Sequence, residues 1–247
     1  MPQYACFDIP GIDWPGRRVS DCLTVLQAAS VAHQLGKRQI LSESFAMCGW
    51  NVSFEELRRI AEYQMVHGVT LLCQHLAPYS LGGIRKRDAP AALFVQQPWW
   101  KEYRHFNDFI SRVGMLLTLG NVHFSVLVLH PQQSAWALYD GSETSRAEID
   151  RLNSACVPPF KRWSMRKFLP FRRRSNAQPA CQHRGNRLCV GAQRYRAVII
   201  SHASRWMPVW LRLLAPVRPN GGTILCAEAE RAQSSGRSRP SPTCRTA

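Results

Sequence analysis

The sequence predicts an α/β fold built on parallel strands, and three observations predict it. Short β-prone apolar runs start near residues 4, 39 and 69, about 30 residues apart, which is the length of one strand–helix unit. Each run is followed by a segment with apolar residues at helical spacing, and the segments carry start and stop signals where that spacing needs them. Strands joined through helices of this length pair in parallel, with the helices packed outside.

The elements follow in order. "YACFDIPGID" predicts a short strand with a Pro-Gly break, and "SDCLTVLQAASVAHQLGK" a helix through Leu23, Leu26, Ala29, Ala32 and Leu35 that stops at Gly36. "QILSE" is the second strand and "SFEELRRIAEYQMVHG" the second helix. Ser53 and Glu56 form an S-x-x-E capping box at its start, and Gly68 stops it. "VTLLCQ" is the third strand; a long loop covers His75 to about Gln97, and "WWKEYRHFNDFISRVGMLLTLG" is a helix with Phe106, Phe109, Ile110, Val113 and Leu117 on one face. A second section opens at "VLVLHPQQSAWALYDG", a buried-type strand followed by a Pro turn. "YRAVIIS", an apolar helix at 206–215 and "PNGGTILCAE" then read as strand, helix, Gly turn and strand. The expected division is a first domain over 1–120 and a second α/β domain over 121–230. Residues 231–247 have the Ser/Pro/Arg composition of a disordered tail.

With 247 residues, 45% of them hydrophobic, the chain can fill a real core. It has no apolar run of about 18 residues and no signal-peptide pattern, so a cytoplasmic location is expected and no membrane partner. The net charge of +16 suggests nucleic acid until it is split by position. Residues 1–150 carry 13 Lys+Arg against 14 Asp+Glu, whereas residues 151–247 carry 19 against 2. No acid occurs between Asp150 and Glu228. The nine cysteines form no CxxC pair; Cys181, His183 and Cys189 come nearest to a metal cluster, and scattered reduced thiols are the expectation. No metal or cofactor is expected.

Parallel units place functional side chains at strand C-terminal ends and in the loops beyond. Glu43 sits there in the second unit, Gln74 and His75 in the third, Asp8 and Asp13 in the first. Glu43 stands out, because an ionised carboxylate ending an apolar strand is costly to bury without a partner. It either pairs, with Arg38 or Arg85 as candidates, or lines a cavity. His75 has core hydrogen bonding as its structural alternative, and Asp13 has capping of the Pro-Gly turn. The loop "HLAPYSLGGIRKRDAPAALFVQQPWWKEY" sets Arg85, Lys86 and Arg87 beside Trp99, Trp100 and Tyr103. Only three cations cluster and Asp88 follows at once, so the phosphate-binding footprint is weak. Aromatic faces, arginines and carboxylates suit a polyhydroxylated sugar, whose CH face packs on indole while its hydroxyls take hydrogen bonds.

The segments "IPGID", "SVAHQLGKRQILSESFAMCGWNVSFEELRRIAEYQMVHGVTLLCQHLAPYSLGGIRKRDAPAALFVQQPWWKEYRHFND" and "VLVLHPQQSAWALYDG" resemble a run in large bacterial glycoside hydrolases related to the α-L-rhamnosidases of family 106. The resemblance covers residues 4 to 152, with a weaker continuation in "GNRLCVGAQRYRAVII" and "NGGTILCAE". It implies the last three units of a (β/α)8 barrel, followed by a partial amidotransferase-like α/β domain. It also implies a catalytic carboxylate at Glu43, with Asp13, Trp50, His75, Arg85, Arg87, Asp88 and Trp99 as substrate contacts. The bond cleaved would be that of a rhamnoside-like or galactoside-like sugar.

A glycosidase needs two carboxyl groups flanking the bond, and the resemblance places the partner of Glu43 on an earlier strand that this sequence does not contain. The expectation is a truncated, inactive hydrolase with a carbohydrate partner and without nucleic acid. Residues 154–184 depart from the family's acidic, helical character and read as aberrant or disordered, consistent with translation out of frame. Two alternatives of other classes are nucleic-acid binding through the Arg-rich 161–174 segment and a non-catalytic carbohydrate-binding remnant.

Overall fold

Four-residue strands and longer amphipathic helices alternate through the first 120 residues, as the spacing predicts. The computed structural model describes residues 2–20, 22–162, 167–169, 181–184, 186–200, 214 and 222–226. These divide into a unit over Gln3–Val122 and a second from His123 onward, each described separately below.

In the first unit β1 is Gly11–Trp14, α1 Leu23–Gln34, β2 Leu41–Ser44, α2 Phe54–Val66, β3 Leu71–Gln74 and α3 Tyr103–Thr118. The first strand starts later than the apolar run at residue 4 suggests. Pro2–Cys6 forms a 3-10 turn instead, and the ammonium of Lys37 gathers the carbonyls of Tyr4, Ala5 and Phe7. Pro10 has no N–H to give, so pairing begins at Gly11. Asp8 therefore lies before β1, away from the strand ends. At α2 the predicted capping box is present: the Glu56 N–H donates to Ser53 Oγ (3.2 Å) and the Ser53 N–H to Glu56 Oε2 (3.1 Å).

The three strands form one parallel sheet in the order β1-β2-β3. Strand alternation sends Ile12, Trp14, Ser42 and Ser44 to a buried face. The core beside it contains Val25, Ala28 and Ala32 of α1, Leu57, Ile60 and Ala61 of α2, and Phe106 and Ile110 of α3. Gly114 lets α3 approach closely, since a Cβ there would stand 2.5 Å from the Thr70 carbonyl oxygen. The opposite face differs from the usual parallel sheet, which is covered on both sides. Asp13 and Cys73 on it are exposed, and Gly11, Leu41, Glu43 and Leu71 are half-buried.

In the second unit β4 is Val126–Leu129, α4 Gln132–Leu138, α5 Glu143–Arg162, β5 Lys167–Leu169, β6 Cys181–Arg184, β7 Arg187–Val190, β8 Gln193–Tyr195, β9 Ala197–Ile200 and β10 Thr223–Cys226. A four-stranded parallel sheet runs β10-β9-β4-β5, and an antiparallel sheet runs β6-β7-β8. The expected turn after β4 is the start of α4, because Pro131 is tolerated at a helix entrance, where no donor is required. The core joins Leu127, Leu129 and Val198 to Leu188, Val190 and Tyr195, and Leu214 completes it. Apart from Leu214, the helix expected at 206–215 lies outside the described residues, as do residues 163–166 and 170–180 of the basic region and the tail 231–247. No helix among the described residues is long and apolar enough to cross a membrane.

Candidate functional site

The in-register sheet of the first unit sets Asp13, Glu43 and Cys73 side by side on three neighbouring strands. Residues directly paired across a sheet share a face, so the three side chains form one row on the open side, spaced by about 4.8 Å per strand. Glu43 is half-buried and makes no ion pair among the described residues. Of its two candidate partners, Arg38 is exposed and Arg85 pairs with Asp88 at 3.1 Å.

A buried polar network fixes the strand that carries Glu43. The hydroxyl groups of its neighbours Ser42 and Ser44 lie 3.0 Å apart, and Gln64 of α2 donates to Ser44 Oγ at 3.1 Å. All three are fully buried, so their hydrogen bonds hold β2 to α2 where an unpaired polar atom would be costly. The loop that follows is strained. Phe45 and Met47 adopt positive φ of 80° and 60°, and Cys48 N–H closes a turn onto Phe45 O at 3.4 Å.

The loops beyond the three strands are tied to one another. Arg17, after β1, donates from Nε to the Cys48 carbonyl (2.5 Å), from Nη1 to Glu56 Oε1 (2.8 Å) and from Nη2 to Asn51 Oδ1. Gly16 N–H reaches Ala46 O at 2.7 Å, and Gly49 N–H reaches Pro90 O at 2.9 Å. Gly49 has φ of 77°, and a Cβ on it would crowd Arg17 and Asn51 at 3.3 Å. The Trp50 indole N–H donates to Lys86 O at 2.8 Å, joining the loop after β2 to the loop after β3. The Glu56 carboxyl is held below its usual range by the Ser53 backbone donor and by Arg17, against a smaller opposing effect of burial.

The predicted site residues are distributed as follows. His75 follows β3, and its N–H donates to Ser44 O at 2.9 Å, which sets it beside the end of β2; its Nδ1 is buried with no hydrogen-bond partner. Gln74 does not join the site. Strand alternation turns it toward α3, where it donates to Asn107 at 2.8 Å and accepts from the Tyr103 hydroxyl. Arg85, Arg87 and Asp88 are exposed on the loop after β3. Trp99 is half-buried in an aromatic cluster with Phe54 and Tyr103, its ring tilted against theirs at separations of 5.0 and 5.3 Å. Burial in the same cluster pushes the Tyr103 hydroxyl pKa up. Cys6, Cys48, Cys73 and Cys189 are free thiols. Among the described residues no group of three or more His, Cys, Asp or Glu could hold a metal ion.

Neither a family model nor a curated protein matches the sequence. Among solved structures, a rhamnosidase from Novosphingobium sp. PP1Y is similar to this chain, with a TM-score of 0.62 and 19% sequence identity over 90% of this chain and 22% of that one. At that identity the likeness is one of fold, and this chain spans about a fifth of the other protein's length.

Proposed function

We propose that the first unit is a piece of a glycoside-hydrolase barrel, its last three strand–helix units, and that the second unit is a partial amidotransferase-like domain. In this reading Glu43 is a catalytic carboxylate of the intact enzyme class. Asp13, Trp50, His75, Arg85, Arg87, Asp88 and Trp99 are contacts for a rhamnoside-like or galactoside-like sugar. The observation that supports it is the row Asp13–Glu43 on the open sheet face, at the strand ends where such barrels do their chemistry. The fold likeness to a rhamnosidase agrees with it.

The chain alone holds sugar without cleaving it. Hydrolysis needs two carboxyl groups flanking the bond, one of them acting as general acid, and in this reading Glu43 supplies one of the pair. A barrel mouth also requires about eight strands to close around the substrate and exclude water. The sheet of this unit has three.

Calorimetric titration with L-rhamnose and D-galactose, together with an assay on 4-nitrophenyl α-L-rhamnopyranoside, tests the reading. The expected result is weak binding to one of the sugars and no release of nitrophenolate. Trp50→Ala and Glu43→Ala should each weaken binding roughly tenfold, about 1.4 kcal/mol. Failure to bind either sugar would remove the sugar site, and turnover by the purified chain would refute the non-catalytic role.

A further inference from the structure

The antiparallel sheet of the second unit has two chemically opposite faces. Its pairing sets Arg184 opposite Arg187, and Gln182 opposite Cys189, which in turn faces Arg194. Paired residues, and residues two apart along a strand, share a face. Arg184, Arg187 and Arg194 therefore project from one side of the sheet together with Gln182. Arg184 and Arg194 are exposed and Arg187 is half-buried, while Cys189 beneath them is buried. Leu188, Val190 and Tyr195 on the other side belong to the core. Arg196, one residue beyond β8, is exposed as well.

Among the described residues this face holds positive charge without local compensation. None of the four arginines makes an ion pair among the described residues. The sequence contains no acid from residue 151 to residue 227. Like charges placed directly opposite on neighbouring strands destabilise a sheet, and the Arg184–Arg187 pair has that arrangement. A ligand that brings several negative charges at strand-like intervals, about 5 to 7 Å, relieves the repulsion. Guanidinium groups match phosphate oxygens bidentately, and a phosphodiester backbone supplies such charges in a row.

We propose that the outer face of the β6–β7–β8 sheet binds the phosphate backbone of a nucleic acid through Arg184, Arg187 and Arg194. The contacts are to phosphates, so binding is independent of base sequence and strongly dependent on salt. The proposal uses residues of the second unit alone and does not rest on the sugar reading of the first. It also differs from the Arg-rich 161–174 segment that the sequence suggests.

Fluorescence anisotropy of a labelled DNA duplex with the full chain, over about 50 to 200 mM salt, tests the proposal. The triple variant Arg184→Gln, Arg187→Gln, Arg194→Gln should bind more weakly and flatten the slope of log affinity against log salt by roughly 0.9 per arginine, about 2.7 in all. Its circular dichroism should match the parent's. If the triple variant misfolds, Arg194→Gln alone should flatten the slope by about 0.9. An unchanged slope in a folded variant, no binding of duplex at the lowest salt, or equal affinity for poly-L-glutamate would each overturn it.

Discussion

Glu43 lies between two serines whose hydroxyls are committed to each other and to Gln64, so the carboxylate is positioned by its strand without being neutralised by it. Its place at a strand end was legible from the apolar run before it; its lack of a cationic partner among the described residues was not, because that depends on where distant arginines fold. Met47 shows a similar division. Glycine takes the left-handed backbone at Gly49, yet two positions earlier the left-handed residue is a methionine, 66% exposed and with φ of 60°. A left-handed conformation costs an L-residue roughly 1–2 kcal/mol, and glycine's extra chain entropy returns about half of that. Met47→Gly should therefore raise the stability of the first unit by about 0.5–1 kcal/mol. A urea titration showing a lower midpoint for the variant would reject the strain argument.

At the scale of elements, the helices were the most legible. The S-x-x-E pattern located the start of α2 to the residue, because capping is a contact over three positions. Arg17 reaches Glu56 across 39 positions, and nothing in local spacing announces it. The first strand begins later than its apolar run suggests, because the run at residue 4 is held in a turn by Lys37, which lies beyond the end of α1 and more than 30 positions away from Tyr4. The β6–β8 sheet was missed because three- and four-residue strands rich in arginine carry no alternating apolar signature long enough to read. The seat of α3 on the sheet rests on a missing side chain. Gly114→Ala would drive a methyl into the Thr70 carbonyl, which is backbone and cannot move aside, and should destabilise by about 1–3 kcal/mol. A thermal melt within a degree of the parent would count against that close approach.

For the whole molecule, acid should act on the second unit through His130. Burial lowers this imidazole from its usual value to about 4, so the folded chain keeps it neutral where the unfolded chain protonates it. The unfolded state then binds more protons between about pH 6.5 and 4, and stability contributed above 6.5 is lost as the pH falls through that window. The loss is on the order of 3 kcal/mol. His130→Gln should flatten the pH dependence of unfolding across the window, and an unaltered profile would assign the acid sensitivity elsewhere.

The open sheet of the first unit also bears on how the chain behaves in concentrated solution. Exposed strand edges invite copies of a protein to add to one another and aggregate. Here each edge strand is four residues long and offers few backbone groups to a newcomer. Two copies meeting face to face would also bring the Asp13 and Glu43 carboxylates of one against those of the other. Short edges and a face lined by carboxylates therefore act together as a guard against self-association.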